Sequence, residues 1–176
     1  MTRLDVSNLT AGDAEVALRS YPRRYRSAFG AVPDDGSGAA DVIDGLALRV
    51  GPDGHSALDL LTDTVRSLEV IAQAMHGVVY NEGVAVHPGA VDADARHWEQ
   101  PVAGTVEGGL ALLDAAALEL ATAVERVPPK GWSRTAPVAG TDGERTVTAV
   151  DVLREAVRTA ADNLAGIEKT LTAVST

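Results

Sequence analysis

An all-α four-helix bundle is the architecture this sequence predicts. Four segments share one apolar spacing of three and four residues, which keeps a single stripe of each helix against its neighbours. Three of them open on the same start signal, a Thr or Ser followed three residues later by Asp. The apolar residues are mostly Ala, Val and Leu, with 1 Phe, a mixture that suits closely packed helices better than a β-sandwich.

The first segment steps through Ala14, Leu18, Tyr21, Tyr25 and Ala28, with Thr10 and Asp13 at its start. Pro22 removes one intrahelical hydrogen bond and predicts a kink or restart there. The second segment has Leu58, Leu61, Val65, Leu68, Ala72 and Met75 behind Ser56 and Asp59. The third has Leu110, Leu113, Ala117, Leu120, Val124 and Val127, with Gly104, Gly108 and Gly109 around its start, where they allow close packing. The fourth runs Val150, Leu153, Val157, Ala160, Leu164, Ile167 and Leu171 behind Thr148 and Asp151.

The connections are unequal. Residues 30–55 are rich in Gly, Pro and Asp, with a short strand expected at Leu46-Ala47-Leu48-Arg49-Val50. The link from His76 to Thr105 far exceeds the ~2–8 residues usual between bundle helices, which makes it a crossover or a functional loop. Residues 133–147 read as a small β-hairpin ahead of the last helix, with Gly140-Thr141-Asp142-Gly143 in its middle. No repeat, low-complexity tract or linker divides the chain, so one domain over residues 1–176 is expected.

The formal net charge of −10, from 25 acidic and 15 basic residues, repels phosphate backbones and anionic lipid. Nucleic acid and membrane surfaces are therefore poor partners, and a small molecule is the expected one. With 0 Cys there is no disulfide, no thiolate metal site and no cysteine nucleophile. Met1-Thr2-Arg3-Leu4-Asp5 carries no apolar signal region, and a cytoplasmic protein is expected.

Several stretches, in order, resemble a known family. They are Leu18-Arg19-Ser20-Tyr21-Pro22-Arg23-Arg24-Tyr25-Arg26, His55-Ser56-Ala57-Leu58-Asp59, Val124 to Thr135 with its Pro128-Pro129-Lys130-Gly131-Trp132-Ser133 core, and the helix from Val152 to Leu164. Together they resemble the DinB-like helical bundles of the mycothiol-dependent maleylpyruvate isomerase and thiol S-transferase type. The resemblance implies a divalent metal held by three histidines, and chemistry on low-molecular-weight thiols. Carried over residue by residue, the three ligand positions fall on Asp63, Arg158 and Asp162, none of them His. A guanidinium has no lone pair for a metal, and two carboxylates beside a fixed cation make a poor transition-metal site. The expectation is therefore no metal and no tightly bound cofactor, a low-molecular-weight thiol such as mycothiol being the molecule the resemblance implies.

Two readings of these three residues stand. Asp63, Arg158 and Asp162 form a catalytic network, Arg158 supplying the charge that stabilises a thiolate, Asp162 orienting it and Asp63 acting as base. Alternatively they are solvated, since Arg158 and Asp162 lie opposite the apolar stripe of their helix and Asp63 lies at the edge of its own. Trp98 and Trp132 flank loops and could wall an end pocket, with Arg134 and His55 completing a candidate ligand-binding set. Arg19, Arg23 and Arg26 share one helix face, read as an exposed basic face or an anion site. His76, His87 and His97 have no metal-ligand spacing. Ala111, Leu112, Ala115 and Ala116 are either core or the seam of a homodimer. Two functions lead: a metal-free relative of thiol S-transferases that acts on or binds a thiol conjugate or pathway intermediate, or a non-catalytic ligand-binding or protein-interaction bundle. A third, a metal-dependent hydrolase or transferase using Asp63, Asp162 and a loop histidine from among His76, His87 and His97, ranks well behind both.

Overall fold

The structure, a computed structural model, describes residues 5–30, 39–80, 83–96, 104–141 and 144–175. Its helices are α1 (Ala11–Gly30), α2 (Ala39–Ala47), α3 (Ala57–Tyr80), α4 (Val106–Glu125) and α5 (Ala149–Val174). The four long ones form the expected bundle, and the spacing that predicts them is the spacing that is buried. Leu18, Tyr21 and Tyr25 of α1, Leu61, Val65 and Leu68 of α3, Leu113 and Leu120 of α4, and Leu153, Ala160 and Ile167 of α5 all lie in one core.

The start signals work as capping boxes. Asp13, Asp59 and Asp151 each receive a hydrogen bond from the backbone N–H at Thr10, Ser56 and Thr148, whose hydroxyls accept one in return. The Thr105 hydroxyl accepts from Gly108 N–H at the head of α4, and Asp44 of α2 accepts from Val106 N–H at 2.7 Å. That bond satisfies one of the orphan donors of α4 and fastens α2 beside it.

Two local expectations are corrected. α1 is one continuous helix through Pro22 rather than a restarted one. No strand covers residues 46–50: Leu46 and Ala47 close the last turn of α2, and Val50 makes a single bridge to Ser56. An apolar run of that length does not distinguish strand from buried helix, and here the Ala-rich residues before it extend the helix.

The side-chain ties fix the helix directions. Asp63 meets Asn163, while a side chain on Gly166 would strike Leu60, so α3 and α5 are antiparallel. Tyr21 and Tyr25 donate to the carbonyls of Val157 and Ala160, so α1 and α5 are parallel. Arg19 pairs with Glu125 and Arg26 with Asp114, which makes α1 and α4 antiparallel. The Tyr80 hydroxyl, at the end of α3, donates to Arg126 just beyond the end of α4. α3 and α4 therefore run the same way, and the long segment between them must return the chain along the bundle. It is the crossover alternative, and it carries 3₁₀ turns at Pro88–Ala90 and Ala93–Ala95.

The hairpin is present. β1 (Thr135–Pro137) and β2 (Thr146–Thr148) pair antiparallel, Thr135 opposite Thr148 and Ala136 opposite Val147. Val86 of the crossover bridges Val138, so hairpin and crossover form one sheath against the head of α5. The stripe at Ala111 to Ala116 divides, with Ala116 buried and Ala111, Leu112 and Ala115 exposed. No helix among the described residues is long and apolar enough to cross a membrane.

Candidate functional site

A seam of polar side chains runs along the α5 face that meets α3 and the crossover. At its lower end the Asn163 amide donates to Asp63 Oδ2 at 2.7 Å and to the Thr64 hydroxyl at 3.0 Å. Thr64 also meets the Tyr25 hydroxyl at 2.9 Å, and Tyr25 donates to Ala160 O at 2.8 Å. Burial, more than any neighbouring charge, pushes the Tyr25 phenol far above its ordinary value, so it remains a donor.

One turn towards the α5 N-terminus lies Thr159, and one further turn away Glu155. Arg96, which closes the second 3₁₀ turn of the crossover, inserts against both. Its Nε donates to Gly89 O at 2.7 Å, Nη1 to the Thr159 hydroxyl at 2.8 Å and Nη2 to Glu155 Oε1 at 2.9 Å. The other Glu155 oxygen accepts from Arg158 Nη1 at 2.7 Å. Side-chain exposure is 2% for Arg96 and 3% for Glu155 but 29% for Arg158. Two guanidiniums thus share one buried carboxylate, and the cluster keeps one positive charge whose exposed end is Arg158.

That end faces a cleft of about 380 Å³ between α5, the hairpin and the segments around Val6 and Val91. Arg145, Arg154 and Arg158 line it with Glu155, Asp151 and Ser7. A larger pocket of about 500 Å³ opens at the other end of the bundle, beside Phe29, Ile43 and Leu110. Its Arg26 is paired with Asp114, its Asp44 caps α4 and its Thr105 accepts from Gly108, so most of its polar lining is committed to the fold. The smaller cleft is the candidate site.

The residues singled out from sequence are dispersed. Arg158 stands in the cleft wall, tied to Glu155. Asp63 lies with Asn163 and Thr64, and Asp162 lies near Tyr21, whose phenol is raised first by burial and in smaller part by the Asp162 charge. Neither aspartate is among the residues lining the cleft. Trp132 is half-buried against the core in the 3₁₀ turn Pro129–Ser133. Arg134 donates to Val79 O at 2.6 Å and so satisfies a carbonyl at the end of α3, and His55 is exposed before α3. Trp98 and His97 lie outside the described residues. Arg19 and Arg26 tie α1 to α4, and Arg23 is exposed.

Arg96 and Glu155 carry the site, and neither stands out in the sequence. Glu155 falls opposite the apolar stripe of its helix and reads as a solvated residue; it is buried because the crossover lies over that face.

A solved structure similar to this chain is YfiT from Bacillus subtilis, described as a probable metal-dependent hydrolase with an unusual four-helix bundle topology. The match covers 97% of this chain and 90% of that one, at a TM-score of 0.71 and 16% sequence identity. The two share a fold. It is a four-helix bundle. No family model matches the chain, and no curated protein does.

The donor set here does not fit the metal that YfiT's description implies for YfiT. Among the described residues no three His, Asp or Glu converge. Asp63 receives an amide N–H from Asn163, and the space between Glu155 and Thr159 holds a guanidinium, which cannot coordinate.

Proposed function

We propose that this protein is a metal-independent bundle that binds a small-molecule thiol conjugate, or an intermediate of that class, in the cleft beside Arg158. The observation that carries the reading is the Arg96–Glu155–Arg158 cluster, which holds a fixed positive charge where the cleft meets α5. Holding it is costly, since buried ions lose hydration that only close pairing offsets, and clusters of this kind concentrate at working sites. A cation in that position favours the ionised form of a thiol or acid placed against it.

The geometry favours binding over turnover. Asp63, the base the catalytic reading requires, is engaged by Asn163 and stands five α5 residues beyond Arg158, about 7.5 Å along the helix axis. A non-catalytic ligand-binding bundle is thus the form of this proposal that the positions support best.

Two measurements test it. Purified protein incubated separately with Zn²⁺, Ni²⁺ and Mn²⁺ and then desalted is expected to retain no stoichiometric metal; one ion per chain overturns metal independence. Calorimetric titration with an S-conjugate of mycothiol is expected to show saturable binding that Arg158→Gln weakens about tenfold or more. Absence of binding, or binding indifferent to that change, removes the cleft from the proposal.

A further inference from the structure

We infer that the cleft recognises an oxyanion, a carboxylate or a phosphate, through Arg145, Arg154 and Arg158. This rests on the cleft being the ligand site and names the group on the ligand that it reads.

Each guanidinium carries five N–H groups in a planar fork. Arg145 gives one to Val91 O at 3.3 Å, Arg154 one to Leu9 O at 3.3 Å, and Arg158 one to Glu155 at 2.7 Å. Each side chain is thereby anchored by one bond, which leaves most of its donors without a protein partner among the described residues. Their anchors come from different parts of the chain: the crossover, the segment before α1, and α5 itself. Three independently held forks converging on one concavity are an arrangement that planar or tetrahedral oxyanions match bidentately.

The nearby acids balance the arginines in charge but engage few of their donors. Asp151 spends its carboxylate on the backbone and hydroxyl of Thr148 at the α5 cap. Asp5 accepts from Ser7 N–H and Asp92 from Asp94 N–H. Asp92 approaches Arg145 only to 4.0 Å. The Ser7 backbone bond, with a smaller contribution from Arg158, holds the Asp5 carboxyl below the usual carboxylate range. Glu155 is enclosed between Arg96 and Arg158, and its charge is offset by Arg96 behind the visible forks. An anion entering the cleft meets these donors. In a chain of net charge −10 the four arginines Arg96, Arg145, Arg154 and Arg158 balance Asp5, Asp92, Asp151 and Glu155, so the donors rather than a net charge carry the recognition.

Backbone amide NMR tests the inference with two probes in separate arms, inorganic phosphate and succinate, each against sodium chloride at matched ionic strength. Saturable shifts confined to residues 5–7, 91–92 and 145–158 are expected from at least one probe, and the stronger arm identifies the oxyanion. Arg154→Gln and Arg158→Gln are each expected to raise its Kd about tenfold or more, with Arg158→Lys recovering part of the loss. Arg145→Gln, at an exposed side chain, supplies a variant that leaves the Arg96–Glu155 pair untouched. Shifts that chloride reproduces, or a Kd unmoved by Arg154→Gln and Arg145→Gln, overturn the inference. If the thiol conjugate binds and neither oxyanion competes with it, the inference fails and the proposed function stands. If an oxyanion binds and the conjugate does not, the proposed function fails and the inference stands.

Discussion

Replacing Arg96 with Met tests whether the buried cluster holds the crossover to the bundle. The variant keeps most of the side-chain volume and removes the charge and all three donors. Glu155, whose side chain is 3% exposed, then keeps only Arg158, itself 29% exposed, while Gly89 O and the Thr159 hydroxyl lose their donor. Breaking a buried ion pair from one side costs about 3–5 kcal/mol, because the remaining charge stays dehydrated. Against a total stability of roughly 5–15 kcal/mol that is a large fraction. For a chain of this size it corresponds to a Tm lowered by about 6–20 °C. Urea unfolding followed by circular dichroism, with thermal scans beside it, reads both quantities. The companion variant Arg96→Met with Glu155→Leu removes the stranded carboxylate and is expected to recover at least half of the loss, Arg158 rehydrating at the surface. A single-variant cost below about 1 kcal/mol, or a double variant no more stable than the single, would refute the reasoning.

Two further outcomes follow from the packing. Tyr25→Phe removes the bonds to Ala160 O and to Thr64, at an expected cost of about 1–2 kcal/mol in urea unfolding. Because burial raises the Tyr25 phenol in the folded state, its contribution is intact below the unfolded value of about 10 and is lost as pH rises from there towards the folded value. The parent should therefore lose stability between about pH 9 and 11 more steeply than Tyr25→Phe, and parallel curves would contradict the assignment. Gly131→Ala places a Cβ 2.9 Å from Val127 and 3.0 Å from Val79, where α3 ends against the exit of α4. Overpacking of that order costs about 1–3 kcal/mol, and an unchanged Tm would show that the two valines yield freely.

The helices are legible in the residues because their causes are local or nearly so. A stripe at spacing three and four, a hydroxyl with an acid three residues on, and a Gly-containing turn between short extended runs act over a few residues, and the four long helices and the hairpin follow them. α2 escaped that reading because Leu46 to Val50 satisfies strand and helix patterns alike, and what holds α2 is a bond from Asp44 to Val106, 62 positions along the chain.

The site is a different matter. Arg158 was legible as a candidate only through the resemblance, and its partner was not legible at all. On a helical wheel Glu155 and Arg158 face away from the apolar stripe of α5, which for an isolated amphipathic helix means solvent. The parallel run of α3 and α4 forces a long return segment, and that segment, together with the hairpin, roofs the polar face of α5. The roof buries Glu155, brings in Arg96 and turns Arg158 into the edge of a cleft. By itself the sequence determined the four long helices, their caps and the absence of a cysteine thiolate in the chain, since these depend on residue types and short spacings. Which charges are buried, which aspartate meets which partner, and where a ligand can sit were decided only by the tertiary structure, because burial depends on what a distant segment lays over a face.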